Sequence, residues 1–233
     1  MALDILVEDE RFLVVNKPGG LLTQAPPEID SLEECVRDWL RDQRGAEGRP
    51  YVGLPHRLDR PASGAMVLGL DRKSTKSLSG QFEKRRVEKT YWALVAGTVA
   101  EGHGQWTDYL RKLPDEARSE IVAGDADGAQ FARLRYRVLM LLPNATLLEI
   151  ELETGRTHQI RLQTSSRKHP ILGDDLYGSR TPFGPQTEDL RDRWIALHAR
   201  RLAFFHPQTD HRIEVEAPLP THWREFPELS DVA

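Results

Sequence analysis

The sequence predicts an α+β fold: a mixed, mostly antiparallel central sheet flanked by helices and loops. Three observations predict it. Short apolar runs of strand character outnumber helical patterns, and the two do not alternate regularly, as a wound α/β sheet requires. The chain has 233 residues, 39% hydrophobic and 29% charged, enough for one large domain with a real core. The reading is one domain over 1–233.

Leu3–Val7 and Phe12–Val15 are short apolar runs separated by acids and read as strands. Lys17-Pro18-Gly19-Gly20 is a turn signal. Ser31 and Glu34 form a capping box, and Leu32, Cys35, Val36, Trp39 and Leu40 follow at helical spacing, which puts Cys35 in the core. Gly45 to Pro50 ends that helix. Ala65–Leu70 reads as a buried strand, and Leu78 and Phe82 at i, i+4 mark a helix over about 73–85. Thr90–Ala96 is a strand rich in aromatic and aliphatic residues. Residues 101–130 are glycine-studded and poorly patterned, and loops are expected there. Tyr136–Leu142 and Thr146–Leu152 flank Pro143-Asn144, a hairpin signal. Thr154 is placed to cap a helix over 155–166, residues 178–193 read as a polar loop, and Leu197–Phe205 and Arg212–Val215 are the last strands.

Composition excludes several classes. Clean apolar runs such as Val138 to Leu142, which stops at Pro143, are only a few residues long, far short of the ~20 residues of a membrane helix. The acidic opening carries no secretory pattern. Cys35, the only cysteine, forms no internal disulfide or cysteine metal cage. These features point to a soluble cytoplasmic protein. Net charge is −4, but residues 39–207 carry 27 bases against 21 acids, between acidic ends. Residues 154–173 hold Arg156, His158, Arg161, Arg167, Lys168 and His169 and no acid, and Lys84, Arg85, Arg86 and Lys89 form a second cluster. Such patches attract polyanions, although on charge alone they equally fit solvated faces.

Three stretches carry chemistry. His56-Arg57-Leu58-Asp59-Arg60 sets one acid among basic groups, followed by Ser63-Gly64 and a buried strand. Glu153 to Leu162 places Thr157 and Arg161 on one helix face, with His158 alongside. Lys89-Thr90-Tyr91 opens a strand on which Tyr91 and Ala93 share a face. Taken singly, these also fit a salt-bridged loop, a basic surface helix and a core aromatic.

Together they resemble the RluA-type pseudouridine synthases of ribosomal and transfer RNA. The likeness rests on His56-Arg57-Leu58-Asp59 with Ser63-Gly64, on Lys89-Thr90-Tyr91, and on Gly155-Arg156-Thr157-His158-Gln159-Ile160-Arg161. It extends to Pro170-Ile171-Leu172-Gly173-Asp174 with Tyr177-Gly178, to Leu197-His198-Ala199, and to an opening Val-Val-Asn-Lys-Pro-Gly, in the family's order over about 9–207. One departure is Ala62, where the family usually carries threonine.

The resemblance implies a single pseudouridine synthase-like catalytic domain over 1–233, with no separate N-terminal RNA-binding domain and with an active-site cleft across the sheet, and an isomerase (intramolecular transferase) that re-joins uracil to ribose through carbon 5. It implies Asp59 as the catalytic carboxylate, Arg161 as its partner and Tyr91 as the aromatic beside the base. An arginine within about 4–6 Å lowers a carboxylate's pKa by about 1–3 units, against desolvation. Extruding a base costs a few kcal/mol, and stacking returns roughly 1–3 kcal/mol. Arg57, Arg60, Lys84, Arg85, Arg86, Lys89, Arg156, Arg167 and Lys168 are the expected phosphate contacts, with His56 and His158 beside the RNA. The expected partner is a ribosomal or transfer RNA stem-loop, with no membrane, metal or nucleotide cofactor, and the protein acts as a monomer. A facial metal site from His56, Asp59 and His158 is disfavoured, because Arg57, Arg60 and Arg161 would crowd a cation. Two other readings stand beside it: an inactive RNA-binding or RNA-folding factor on the same fold, and a nucleoside-processing hydrolase. A hydrolase usually needs a second carboxylate for water.

Overall fold

The computed structural model describes residues 3–26, 28–45, 48–114, 116–226 and 228–229. In chain order these form β1 (Ile5–Glu8), β2 (Phe12–Lys17), α1 (Leu32–Arg44), β3 (Ser63–Gly69), α2 (Arg72–Glu83), β4 (Glu88–Ala96), β5 (His103–Lys112), β6 (Ser119–Val122), β7 (Gln130–Leu141), β8 (Ala145–Leu152), α3 (Gln159–Ser166), β9 (Leu197–Phe205) and β10 (Arg212–Glu216), with short 3-10 turns at Asp175–Tyr177, Leu190–Asp192 and Thr221–Glu225. The fold is α+β. No helix among the described residues is long and apolar enough to cross a membrane. The chain forms two compact units: residues 1–89, 189–192 and 199–220, and residues 90–188, 193–198 and 221–233.

The first unit is built on β1-β2-β3-β9-β10. Strand β2 pairs antiparallel with β3 from Phe12↔Gly69 to Lys17↔Gly64. Every residue of β3 is buried, so it reads as an unbroken apolar run rather than an alternating one. Phe12, Val14, Ala65, Val67, Leu78, Leu202, Phe204 and Val215 form the core, which seats α2 through Leu78. Gly64 is obligatory: it sits at φ +119°, and a Cβ there would lie 2.4 Å from the Ala199 carbonyl. On α1 the Ser31 hydroxyl accepts the Glu34 N–H, and Gly45 in the left-handed region ends the helix, a cap worth about 1 kcal/mol. Leu32, Val36 and Leu40 are its core residues, whereas Cys35 is only half-buried. The expectation of a core Cys35 is corrected, because the buried stripe runs one position further round the helix.

The second unit is built on β4-β8-β7-β5-β6. The hairpin expected at Pro143-Asn144 joins β7 and β8, paired antiparallel with a register shift between Val138 and Met140. Loops over 101–130 are corrected: β5 and β6 are strands, and β7 starts at Gln130. Strand β5 buries only Trp106 and Leu110 and fills its other positions with polar residues and glycine, so its period of two is weak in hydrophobicity. The helix expected over 155–166 is shorter. Its N-cap is His158, in the left-handed region and without a side-chain cap, and α3 begins at Gln159. Thr154 does not cap it; its hydroxyl accepts the Arg133 N–H and donates to Gln159 Oε1. Thr157 therefore precedes α3, and the shared helical face with Arg161 does not exist.

Candidate active site

Asp59 lies in the loop that enters β3, and that loop is fastened from several sides within the first unit. The Thr23 hydroxyl donates to the Leu58 carbonyl at 2.9 Å and accepts the Leu58 N–H at 3.3 Å. The Ala62 N–H donates to the Asp59 carbonyl at 3.1 Å. Ala62 is itself buried and brings no hydroxyl, so this turn is closed by backbone. Arg60 donates to the Gly20 carbonyl and pairs with Asp192.

Lys17, at the end of β2, is fully buried. Its Nζ donates to the carbonyls of Pro18, Leu21 and Arg60 at 2.8, 2.8 and 3.2 Å. Burial pulls its pKa down to about 7, and the negative charge of Asp59 pushes the other way. In the sequence Lys17 reads as part of a turn signal and of the opening Val-Val-Asn-Lys-Pro-Gly, with no role of its own. A lysine that ends a strand opening on four buried apolar residues is the clue that it is held inside.

His56 carries the same loop. Its ring stacks on Phe82 of α2 at 4.4 Å, and its Nε2 accepts the Val67 N–H at 3.0 Å. Nδ1 therefore carries the proton. Burial, with the charge of Lys89, pushes its pKa down to about 3. His56 is a neutral loop-holder.

In the second unit, Arg161 is buried on α3 and grips Asp174 with both arms: Nε to Oδ2 at 2.6 Å and Nη2 to Oδ1 at 2.7 Å. Its guanidinium lies over the Tyr177 ring at 5.1 Å. The Tyr177 hydroxyl bonds His158 Nδ1 at 2.9 Å and accepts the Ser119 N–H at 2.8 Å. This ties the start of α3 to β6. Asp174 is the carboxylate that sequence reasoning misses; Gly173-Asp174 belongs to a motif that by itself gives the acid no role. Tyr91 is buried on β4, opposite Ile150 of β8.

The other sequence-predicted residues divide by surroundings. Arg57, Lys84 and Arg85 are exposed. Arg86 is exposed but spans the Phe205 ring and Asp210. Lys89 is half-buried, and its pKa is lowered by burial and then by Arg85. Arg156 donates to the Phe131 carbonyl. Arg167 is tied to Asp108 and stacked on Trp106. Lys168, in the left-handed region, follows α3. Asp59 belongs to the first unit, and Tyr91 and Arg161 to the second.

Comparison with known proteins places this arrangement in a class. Residues 11–166 match the family described as RNA pseudouridylate synthase. The chain is 33% identical to tRNA pseudouridine synthase C of Haemophilus ducreyi, over 96% of this chain and 94% of that one. It is also 33% identical to ribosomal large subunit pseudouridine synthase C of Vibrio cholerae, over 94% of this chain and 66% of that one. Among solved structures, human RNA Pseudouridylate Synthase Domain Containing 4 superposes with TM-score 0.75 at 25% identity, covering 94% of this chain and 89% of that one. The chain belongs to the RluA-type RNA pseudouridylate synthase family. It is an isomerase that acts on RNA.

Proposed function

We propose that this protein converts one uridine in a structured stem-loop of ribosomal or transfer RNA to pseudouridine. Asp59 is the catalytic carboxylate, Arg161 the catalytic cation, and Tyr91 the aromatic against which the extruded base rests. The bond from uracil N1 to ribose C1′ breaks, the bond from C5 to C1′ forms, and the C5 proton is lost as N1 regains one. Product and substrate are isomers, so the reaction balances without oxidant, metal or nucleotide, and a monomer suffices. An ionised aspartate serves as nucleophile or as a charge stabiliser at the sugar.

The observation that carries the reading is the fastening of the Asp59 loop. Its neighbour Arg60 is held at the carbonyl by buried Lys17 and at the guanidinium by Gly20 and Asp192. A reacting carboxylate on a loop needs such support, because a misplacement of about 1 Å costs on the order of 10²-fold in rate. The grip of Asp174 on Arg161 gives the guanidinium similar fixity. The likeness to a transfer RNA enzyme and to a ribosomal enzyme supports those two RNA classes as substrates.

The test is pseudouridine mapping of total RNA from cells with and without the gene, followed by incubation of the unmodified RNA with purified protein. Loss of one site and its restoration is the expected outcome. Identical maps and no turnover in vitro would leave an inactive RNA-binding factor instead.

A further inference from the structure

We propose that the exposed face of α2, with the turn that ends it, is a docking track for the phosphodiester backbone of RNA. It is distinct from the Asp59 loop but fixed to it. The inference rests on the RNA-modifying reading above.

Charge distribution marks the face. At 100° per residue, Arg72, Lys76, Gly80 and Lys73 fall within an arc of about 100° on α2, with the C-cap Lys84 following them, opposite the buried residues Ser74, Leu78 and Gln81. Arg72, Lys73, Lys76, Lys84 and Arg85 are all exposed, and none forms an ion pair among the described residues. Neighbouring carboxylates are already engaged. Asp71 caps α2 through Ser74 and meets Arg11, Asp210 takes Arg86, and Glu88 takes Arg212. Glu83 alone interrupts the face.

Local sequence choices point the same way, because at two places they oppose helix stability. Gly80 stands inside α2 with no positive φ, and a Cβ there would meet nothing within 4 Å. An interior helical glycine is unfavourable relative to alanine, and no packing inside the protein explains this one. Five residues on, the left-handed position after the helix, where glycine is favoured, is filled by Arg85 at φ +56°. The glycine opens the backbone for close approach midway along the cationic face, and the arginine is held at its end. Such local inconsistencies gather at functional surfaces.

Rigidity links the track to the reaction. Phe82 stacks on His56, three residues before Asp59. Gly53 and Gly69 lie so close to Thr75 that a Cβ at either would clash with it. RNA seated on α2 is thereby registered against the Asp59 loop. A row of cations around an open stretch of backbone suits a chain of phosphates.

The experiment measures equilibrium binding of a labelled RNA stem-loop, and of bulk transfer RNA, across a salt series. Each phosphate that a variant no longer neutralises lowers the log–log salt slope by about 0.7–0.9. Arg72→Gln/Lys73→Gln/Lys76→Gln is expected to lower the slope by about 2 and weaken Kd about tenfold at physiological salt. The control Arg135→Gln/Arg137→Gln, whose arginines pair with Glu153 and Glu149, leaves the slope unchanged. Gly80→Ala and Arg85→Gly are each expected to raise Tm by about 1–4 °C while weakening RNA binding. A triple variant with wild-type Kd and slope overturns the track, as does a Gly80→Ala variant that binds as tightly as wild type. Poly-glutamate is titrated beside the RNA, and a triple variant that loses poly-glutamate binding with RNA binding intact also overturns the track, in favour of an acidic protein partner. Pseudouridine formation by the wild type is scored on the same preparation. Wild type that binds RNA without forming pseudouridine sinks the enzymatic reading, and the binding series still decides the track.

Discussion

The ammonium of Lys17 donates a 3.2 Å hydrogen bond to the carbonyl of Arg60, the residue next to Asp59. A charge fully enclosed at the end of β2 thus sets the backbone of the loop that enters β3. Three N–H groups meet three carbonyls, the full donor capacity of an ammonium.

Removing that ammonium leaves buried carbonyls unpaired, at about 1–3 kcal/mol each, offset by the desolvation it no longer suffers. Lys17→Met is expected to cost about 2–4 kcal/mol in urea unfolding and to lower kcat at least tenfold. The pH dependence has a definite sign. With a folded pKa of about 7, the native protein binds fewer protons than the unfolded chain between about pH 7 and 10.5. This group's contribution to unfolding free energy therefore rises with pH across that window. Lys17→Met removes the slope; an unchanged slope refutes the assignment.

His56 titrates in the opposite range. Its folded pKa is depressed to about 3, so the unfolded chain binds the extra proton between about pH 6.5 and 3. The stability it contributes is complete above pH 6.5 and is lost as pH falls through that window, by about 1–2 kcal/mol at pH 5. Denaturant midpoints at pH 7 and pH 5 check this. In His56→Gln the difference shrinks by that amount.

The Arg161–Asp174 pair is enclosed on both sides. Breaking a buried pair from one side costs about 3–5 kcal/mol, because the other charge is stranded. Asp174→Ala is expected to lose that much, and Asp174→Asn less. Asp174→Asn also lowers kcat more than it raises KM, since the guanidinium loses its orientation. A variant with unchanged kcat would make Asp174 structural only.

How legible a segment is in the sequence follows from how strongly burial marks it. Strand β9 is apolar enough that its expected limits match those found, and β3 shows as one continuous apolar run. Strand β5 escapes detection because only Trp106 and Leu110 reach the core. The start of α3 is hard to place because Thr154 has the chemistry of a cap but spends its hydroxyl on Arg133 and Gln159. Motifs locate the Asp59 loop and Arg161. They do not reveal the roles of Lys17 or Asp174, whose partners are backbone carbonyls and a guanidinium that only the folded loops bring to them.

The central claim is that Asp59 is the reacting carboxylate, and tritium release tests it most directly. RNA carrying uridine tritiated at carbon 5 is incubated with wild type and with Asp59→Asn, and the Tm of both is measured to establish that the fold is intact. Release by the wild type and none above background by the variant is the predicted result. Release by Asp59→Asn at the wild-type rate would contradict it.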